Sequence, residues 1–125
     1  MTFQILLTMI FLHIVDDFIL QGKLGDMKQK QWWINHPQYN IKYKNDWIIA
    51  LILHSFSWTF MIMLPLMYNH YIGLEFIIVF IINMIVHAIT DHCKANKLEI
   101  NLIQDQSIHL TQILITFLVF LFFRG

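Results

Sequence analysis

The chain has 125 residues, of which 58% are hydrophobic and only 13% are charged, roughly half the charged fraction of an average soluble domain. This small number of polar residues cannot cover the surface of a water-soluble fold of this size. The composition therefore indicates one integral membrane domain. The formal net charge of zero argues against nucleic acid as a partner, and the single cysteine, Cys93, excludes an internal disulfide and any multi-cysteine zinc site.

Four apolar stretches follow one another along the chain, at residues 3–20, 47–67, 72–90 and 105–123. Each is close to the ~20 residues that a helix needs to cross ~30 Å of hydrocarbon. They are rich in Leu, Ile, Phe and Met without strict alternation, which favours helices over barrel strands. We therefore predict an all-α fold, a bundle of four transmembrane helices that forms one domain over residues 1–125.

The first stretch has the length of a secretory signal but lacks its other features. No basic region precedes it, and Asp16 and Asp17 stand where a small-residue cleavage site is expected. We therefore predict a retained helix. Three spans with one interfacial helix remain the alternative.

The basic residues predict the orientation of the bundle. Seven of the eight lie in the connections at residues 21–46 and 92–104, and only Arg124 lies beyond the fourth stretch. With four spans, these two connections share one side of the membrane, which the positive-inside rule makes cytoplasmic. We expect a protein of the bacterial inner (cytoplasmic) membrane with both termini outside.

Ionisable residues recur near one end of each stretch, although each costs ~2.5–3.5 kcal/mol in hydrocarbon. Three histidine–aspartate pairs are spaced four residues apart, which places each pair on one helix face. Because neighbouring spans run in opposite directions, all three pairs reach the lysine-bearing side, and the lone histidine of the second stretch lies at a similar depth. These residues are His13 with Asp17, His87 with Asp91, Asp105 with His109, and the lone His54.

We interpret this layer as a metal site, because imidazole and carboxylate together are ligands of Zn²⁺, Mn²⁺ and Fe²⁺. Seven groups exceed one tetrahedral shell, so one ion with orienting aspartates and two ions both remain open. A proton or ion path and a structural network of interhelical hydrogen bonds are the other interpretations. The predicted ligands are His13, Asp17, His54, His87, Asp91, Asp105 and His109, whereas Asp16 is expected to face headgroups.

The order of these motifs resembles an uncharacterised family of small bacterial and phage four-helix membrane proteins. The resemblance covers residues 12–112, with an expanded first connection and a doubled acidic position as departures. The pattern is similar, more loosely, to inner-membrane proteins regarded as metal-dependent hydrolases, and this likeness implies that activity. The motifs are His13-x3-Asp17-Phe18-x2-Gln21, the lone His54, His87-x3-Asp91-x2-Lys94, and Asp105-Gln106-x2-His109.

We therefore expect an intramembrane metal-dependent hydrolase that acts at the cytoplasmic leaflet on a lipid phosphate or another amphiphile. Membrane lipids would be its partners, and a homo-oligomer is compatible with the sequence. The alternative is a small transporter, ion path or accessory membrane protein that uses the same layer for structure or for protons. The candidate catalytic residues are Asp17, Asp91, Asp105 and Lys94, with an aspartate as general base, and the candidate substrate-binding residues are Gln21, Lys94 and Gln112.

Overall fold

The computed structural model of the chain describes residues 2–35 and 42–124, and all regular structure in these ranges is helical. Residues 36–41 of the first connection lie outside the described residues. The elements are α1 (Thr2–Val15), a π-helical turn (Asp16–Leu20), α2 (Leu24–Met27), α3 (Lys30–Ile34), α4 (Asp46–Tyr68), α5 (Leu74–Ala95) and α6 (Leu102–Arg124).

Within the described ranges, four helical segments are long and apolar enough to cross a membrane: Thr2–Leu20, Asp46–Tyr68, Leu74–Ala95 and Leu102–Arg124. They confirm the predicted all-α fold with four membrane-crossing helices. The third segment extends to Ala95, five residues beyond the predicted end, because neither glycine nor proline interrupts it there.

The outer faces of the long helices are apolar, as hydrocarbon requires. One apolar residue from the outer face of each long helix serves as an example, and each is at least 50% exposed: Phe11, Phe56, Ile82 and Leu118. A soluble protein rarely carries so extensive an apolar surface. Lipid tails are the neighbours that this surface suits, which fits an integral membrane protein.

The interior of the bundle is divided into an apolar half and a polar half. The apolar half lies towards the start of α1 and the end of α4, and its buried residues include Met9, Ile62, Leu66, Phe117 and Phe120. The polar half lies at the opposite end, which carries the lysine-bearing connections. The predicted site therefore belongs to one end of the bundle rather than to its full length.

The first connection begins with a cap of two short helices, residues 24–34, in which α2 packs against α4. The indole Nε1 of Trp33 donates to the Met27 carbonyl at 2.6 Å. Asn96, at the end of α5, donates to the Lys28 carbonyl at 3.1 Å and accepts from the Lys30 amide at 2.6 Å. These hydrogen bonds tie the cap to the end of α5.

Candidate metal centre

Six of the seven predicted ligands meet in the polar half of the bundle and are here named the His/Asp cluster. The π-helical turn supplies one residue, α4 one, α5 two and α6 two. None of the six is more than 7% exposed. The cluster consists of Asp17, His54, His87, Asp91, Asp105 and His109.

Three ligand atoms of the cluster form a close triangle. His54 Nε2 lies 3.1 Å from His87 Nε2 and 3.2 Å from Asp91 Oδ2, and the last two atoms are 3.4 Å apart. Ligand atoms around one ion, at bond lengths of about 2.1 Å, are separated by roughly 3.0–3.4 Å in octahedral or tetrahedral geometry. Asp17 Oδ1 lies 3.2 Å from His54 Nε2 and can complete the set.

A second set of ligand atoms lies on the other side of Asp91. His109 Nε2 is 3.2 Å from Asp91 Oδ1 and 3.3 Å from Asp105 Oδ1. Asp17, Asp105 and His109 also form a group that could hold a metal ion. Asp91 thus directs one oxygen to each set of ligand atoms, and buried groups on both sides of it could hold a metal ion.

Hydrogen bonds determine which nitrogen of His109 carries a proton. The Gln112 amide nitrogen donates to the carbonyl and side-chain oxygens of Asn83, at 3.1 Å each. The Gln112 amide oxygen therefore faces His109 Nδ1, 3.1 Å away, and accepts its proton. His109 Nε2 then faces two carboxylates. If Nε2 carries no proton, its lone pair requires a cation between the ring and the carboxylates. If Nε2 carries a proton, the ring is an imidazolium. Gln112, a predicted substrate-binding residue, orients a histidine in the structure.

Asp16 lies beside the cluster, and the prediction that it faces headgroups is wrong. It is 1% exposed, and Ser57 Oγ donates to its Oδ1 at 2.7 Å. Its Oδ2 lies 4.0 Å from His54 Nδ1, which is beyond hydrogen-bond distance, and neither atom has a hydrogen-bond partner among the described residues. The π-helical turn buries both consecutive aspartates, and such turns are frequent at functional sites. A carboxylate behind a histidine is a common outer support of a metal ligand.

His13 differs from the other predicted ligands because both of its ring nitrogens have protein partners. Trp58 Nε1 donates to His13 Nδ1 at 2.7 Å, so the proton is on Nε2, which lies 2.9 Å from Gln106 Oε1. The Gln106 amide nitrogen in turn contacts Asp17 Oδ2 at 3.2 Å and Asp105 Oδ2 at 3.0 Å. The structure thus places His13 behind the cluster, where it fixes Gln106.

Trp58 stacks on one histidine of the cluster, which stacks in turn on a second. Its ring lies 4.2 Å from the His87 ring, which lies 4.2 Å from the His109 ring, with interplanar angles of 23° and 25°. Trp58 is not among the site residues predicted from the sequence. Its position four residues after His54, on the same helix face, is the signal that could have found it.

Lys28 of the cap is the ammonium group nearest the cluster. Its Nζ lies 2.7 Å from Asp91 Oδ2 and 3.1 Å from Gln21 Oε1, with the side chain 12% exposed. The predicted Lys94 is 39% exposed, and its Nζ lies 3.7 Å from Asp105 Oδ2. Lys28 was missed because a connection between spans gives no helical register that would point it at the site.

The charges in this region do not balance. Four buried carboxylates face two ammonium groups, which leaves a formal charge of minus two if the histidines are neutral. Such an excess is costly in a low-dielectric interior unless a cation or protons neutralise it. The carboxylates are those of Asp16, Asp17, Asp91 and Asp105, and the ammonium groups are those of Lys28 and Lys94.

Comparison with models of known protein families, with curated proteins and with solved structures finds no match to this chain. The chemistry of the cluster is therefore the basis for inferring a function. Buried imidazoles and carboxylates at ligand spacing could hold a metal ion.

Proposed function

We propose that this protein is an intramembrane metal-dependent hydrolase. The observation that carries the proposal is the pair of ligand sets that share Asp91, each with N···O or N···N separations of 3.1–3.4 Å. Carboxylate-bridged pairs of divalent ions commonly serve hydrolysis in proteins. Zn²⁺, Mn²⁺ and Fe²⁺ suit the mixed imidazole and carboxylate donors.

The side chains of the cluster would have different roles in such a site. His54, His87 and His109 supply neutral nitrogen donors, while Asp91 joins the two sets. When bound, divalent ions polarise the ester and activate water for attack. Asp17 or Asp105, each with its Oδ2 held by the Gln106 amide, would accept the proton of the attacking water and pass it to the leaving group.

The substrate we propose is an amphiphile that reaches the cluster from the cytoplasmic leaflet. The lysine distribution supports a cytoplasmic position for the cap and the neighbouring helix ends, and so a place in the inner membrane. The cluster lies at that end of the bundle, where the headgroup phosphate of a lipid would lie. The cap would separate the site from bulk water.

The two alternatives fit the structure less well. An ion path needs polar groups along the bundle, whereas buried Met9, Ile62, Leu66 and Phe120 fill its other half. A purely structural network would pair donors with acceptors, yet Asp105 Oδ1 and the Nδ1 atoms of His54 and His87 lack hydrogen bonds among the described residues. Within those residues, Asp105 Oδ1 is a buried acceptor without a donor, and this favours a cation in the cluster.

Elemental analysis of the detergent-purified protein tests the metal. We expect one or two equivalents of a divalent transition metal per chain after purification without chelator. His87→Ala should lose at least one equivalent. His92→Ala, the same change on the same helix at a ring stacked on Trp47, should retain the full content. A wild-type protein that takes up no Zn²⁺, Mn²⁺ or Fe²⁺ would overturn the proposal.

Hydrolysis is tested with the reconstituted protein and a panel of chromogenic phosphate and carboxylate esters and short-chain lipids. We expect turnover of at least one class that chelator abolishes and added metal restores. Metal binding without turnover of any ester in the panel would count against the hydrolase and leave a metal-binding membrane protein.

A further inference from the structure

Among the described residues of the cap, Lys28 is the one cationic side chain that contacts the His/Asp cluster. Its Nζ lies 2.7 Å from Asp91 Oδ2, the oxygen that also approaches His54 and His87. An ammonium group at this point lies within reach of any anion bound to the same set of ligands. We infer that Lys28, oriented by Gln21, forms an anion subsite for the phosphate group of the substrate, an inference that rests on the proposed function.

The subsite is held in place by the fold. Gln21 Oε1 accepts from Lys28 Nζ at 3.1 Å, while its Nε2 donates to the Asp17 carbonyl at 2.5 Å. Asn96 binds the Lys28 carbonyl at 3.1 Å and so fixes the backbone that carries the lysine. Lys28 is therefore fixed at both its backbone and its ammonium group, which lowers the entropy cost of ordering it around a ligand.

The charge of the region favours phosphate over a singly charged group. The buried carboxylates exceed the two ammonium groups by two negative charges, so two divalent ions would leave a formal charge of plus two. A phosphate monoester carries about −1.5 to −2 at neutral pH and would neutralise that excess. Lysine binds phosphate as a compact point charge. The expected ligand is thus a phosphate monoester or inorganic phosphate.

Phosphate binding to the Zn²⁺-loaded protein in detergent, measured by titration calorimetry, tests the subsite. Lys28→Met should weaken the binding of inorganic phosphate at least tenfold, and Lys28→Arg should recover most of it. Lys23→Met is the matched control, because Lys23 is exposed just before α2 and should bind as wild type does. A Lys28→Met protein that binds phosphate like wild type overturns the inference, and so does a loss seen only in Lys94→Met.

A second arm distinguishes the source of the phosphate. If dihexanoyl phosphatidic acid binds more tightly than inorganic phosphate and its binding depends on Lys28 in the same way, the subsite is assigned to a lipid headgroup. Equal or weaker binding of the lipid assigns it to free phosphate or a soluble ester.

Metal content separates this inference from the proposed function. Wild-type protein without bound metal would defeat the proposed function. A different result would overturn the inference and leave the proposed function intact: the Lys28→Met protein keeps its metal, loses stability and still binds phosphate normally. Lys28 would then act only as a counter-ion of Asp91.

Discussion

Asp91→Asn is the most informative change in the cluster, because one carboxylate there contacts both ligand sets. Its Oδ2 lies 3.2 Å from His54 Nε2, 3.4 Å from His87 Nε2 and 2.7 Å from Lys28 Nζ, while its Oδ1 lies 3.2 Å from His109 Nε2. Asparagine keeps the volume but replaces one ligand oxygen with an amide nitrogen that cannot bind a cation. The change also removes one of the excess negative charges.

The size of the effect follows from the role of Asp91 as a shared ligand. Loss of a group that merely orients a ligand weakens metal affinity about 10–100-fold, so loss of the bridging carboxylate should weaken it at least ~100-fold. At free metal 100 times the wild-type Kd, binding stabilises the wild type by about 2.7 kcal/mol, and a 100-fold weaker Kd leaves about 0.4 kcal/mol. Hydrolytic activity should fall together with the metal content, because Asp91 acts as a ligand while Asp17 or Asp105 transfers the proton.

Thermal unfolding in detergent, followed by tryptophan fluorescence with and without metal, measures this difference. Trp58, stacked on His87 at 4.2 Å, is a reporter inside the site. Asp26→Asn, the same change at an exposed position of α2, is the control and should respond to metal as the wild type does. In a purely structural network, Asp91→Asn would instead cost about 3–5 kcal/mol regardless of metal, because Lys28 loses its partner. Metal stabilisation of the variant equal to that of the wild type would refute the assignment of Asp91 as a ligand.

Three further predictions concern the surroundings of the cluster. Reporter fusions should place the C-terminus, beyond Arg124, outside and the first connection inside, and a cytoplasmic C-terminus would contradict the lysine argument. Gln112→Leu should weaken metal affinity about 10–100-fold because His109 Nδ1 loses its acceptor; an unchanged Kd from metal titration would show that Gln112 does not orient the ligand. His13→Phe should cost about 1–3 kcal/mol of stability, because the buried Trp58 Nε1 loses its acceptor. Elemental analysis of this variant should find the metal content unchanged, and a loss of metal would restore His13 as a ligand.

The sequence by itself determined the four helices and the end of the bundle at which the polar residues gather. Hydropathy and stretch length are local properties, and they predict spans without knowledge of any contact. The four-residue spacing of pairs such as His87 and Asp91 places both on one helix face, and the alternating direction of the spans brings the pairs to one depth. Six of the seven predicted ligands consequently meet in the cluster.

Only the tertiary structure decided which atoms face one another, because the rotation of each helix depends on side chains distant in sequence. Trp58 and Gln106 occupy both nitrogens of His13, a pairing that no spacing within α1 indicates. The π-helical turn buries Asp16 together with its neighbour. Lys28 reaches Asp91 across 63 residues of chain, since Asn96 ties the cap to the end of α5. Helix periodicity is a property of each segment alone, whereas these contacts form only when the segments pack together.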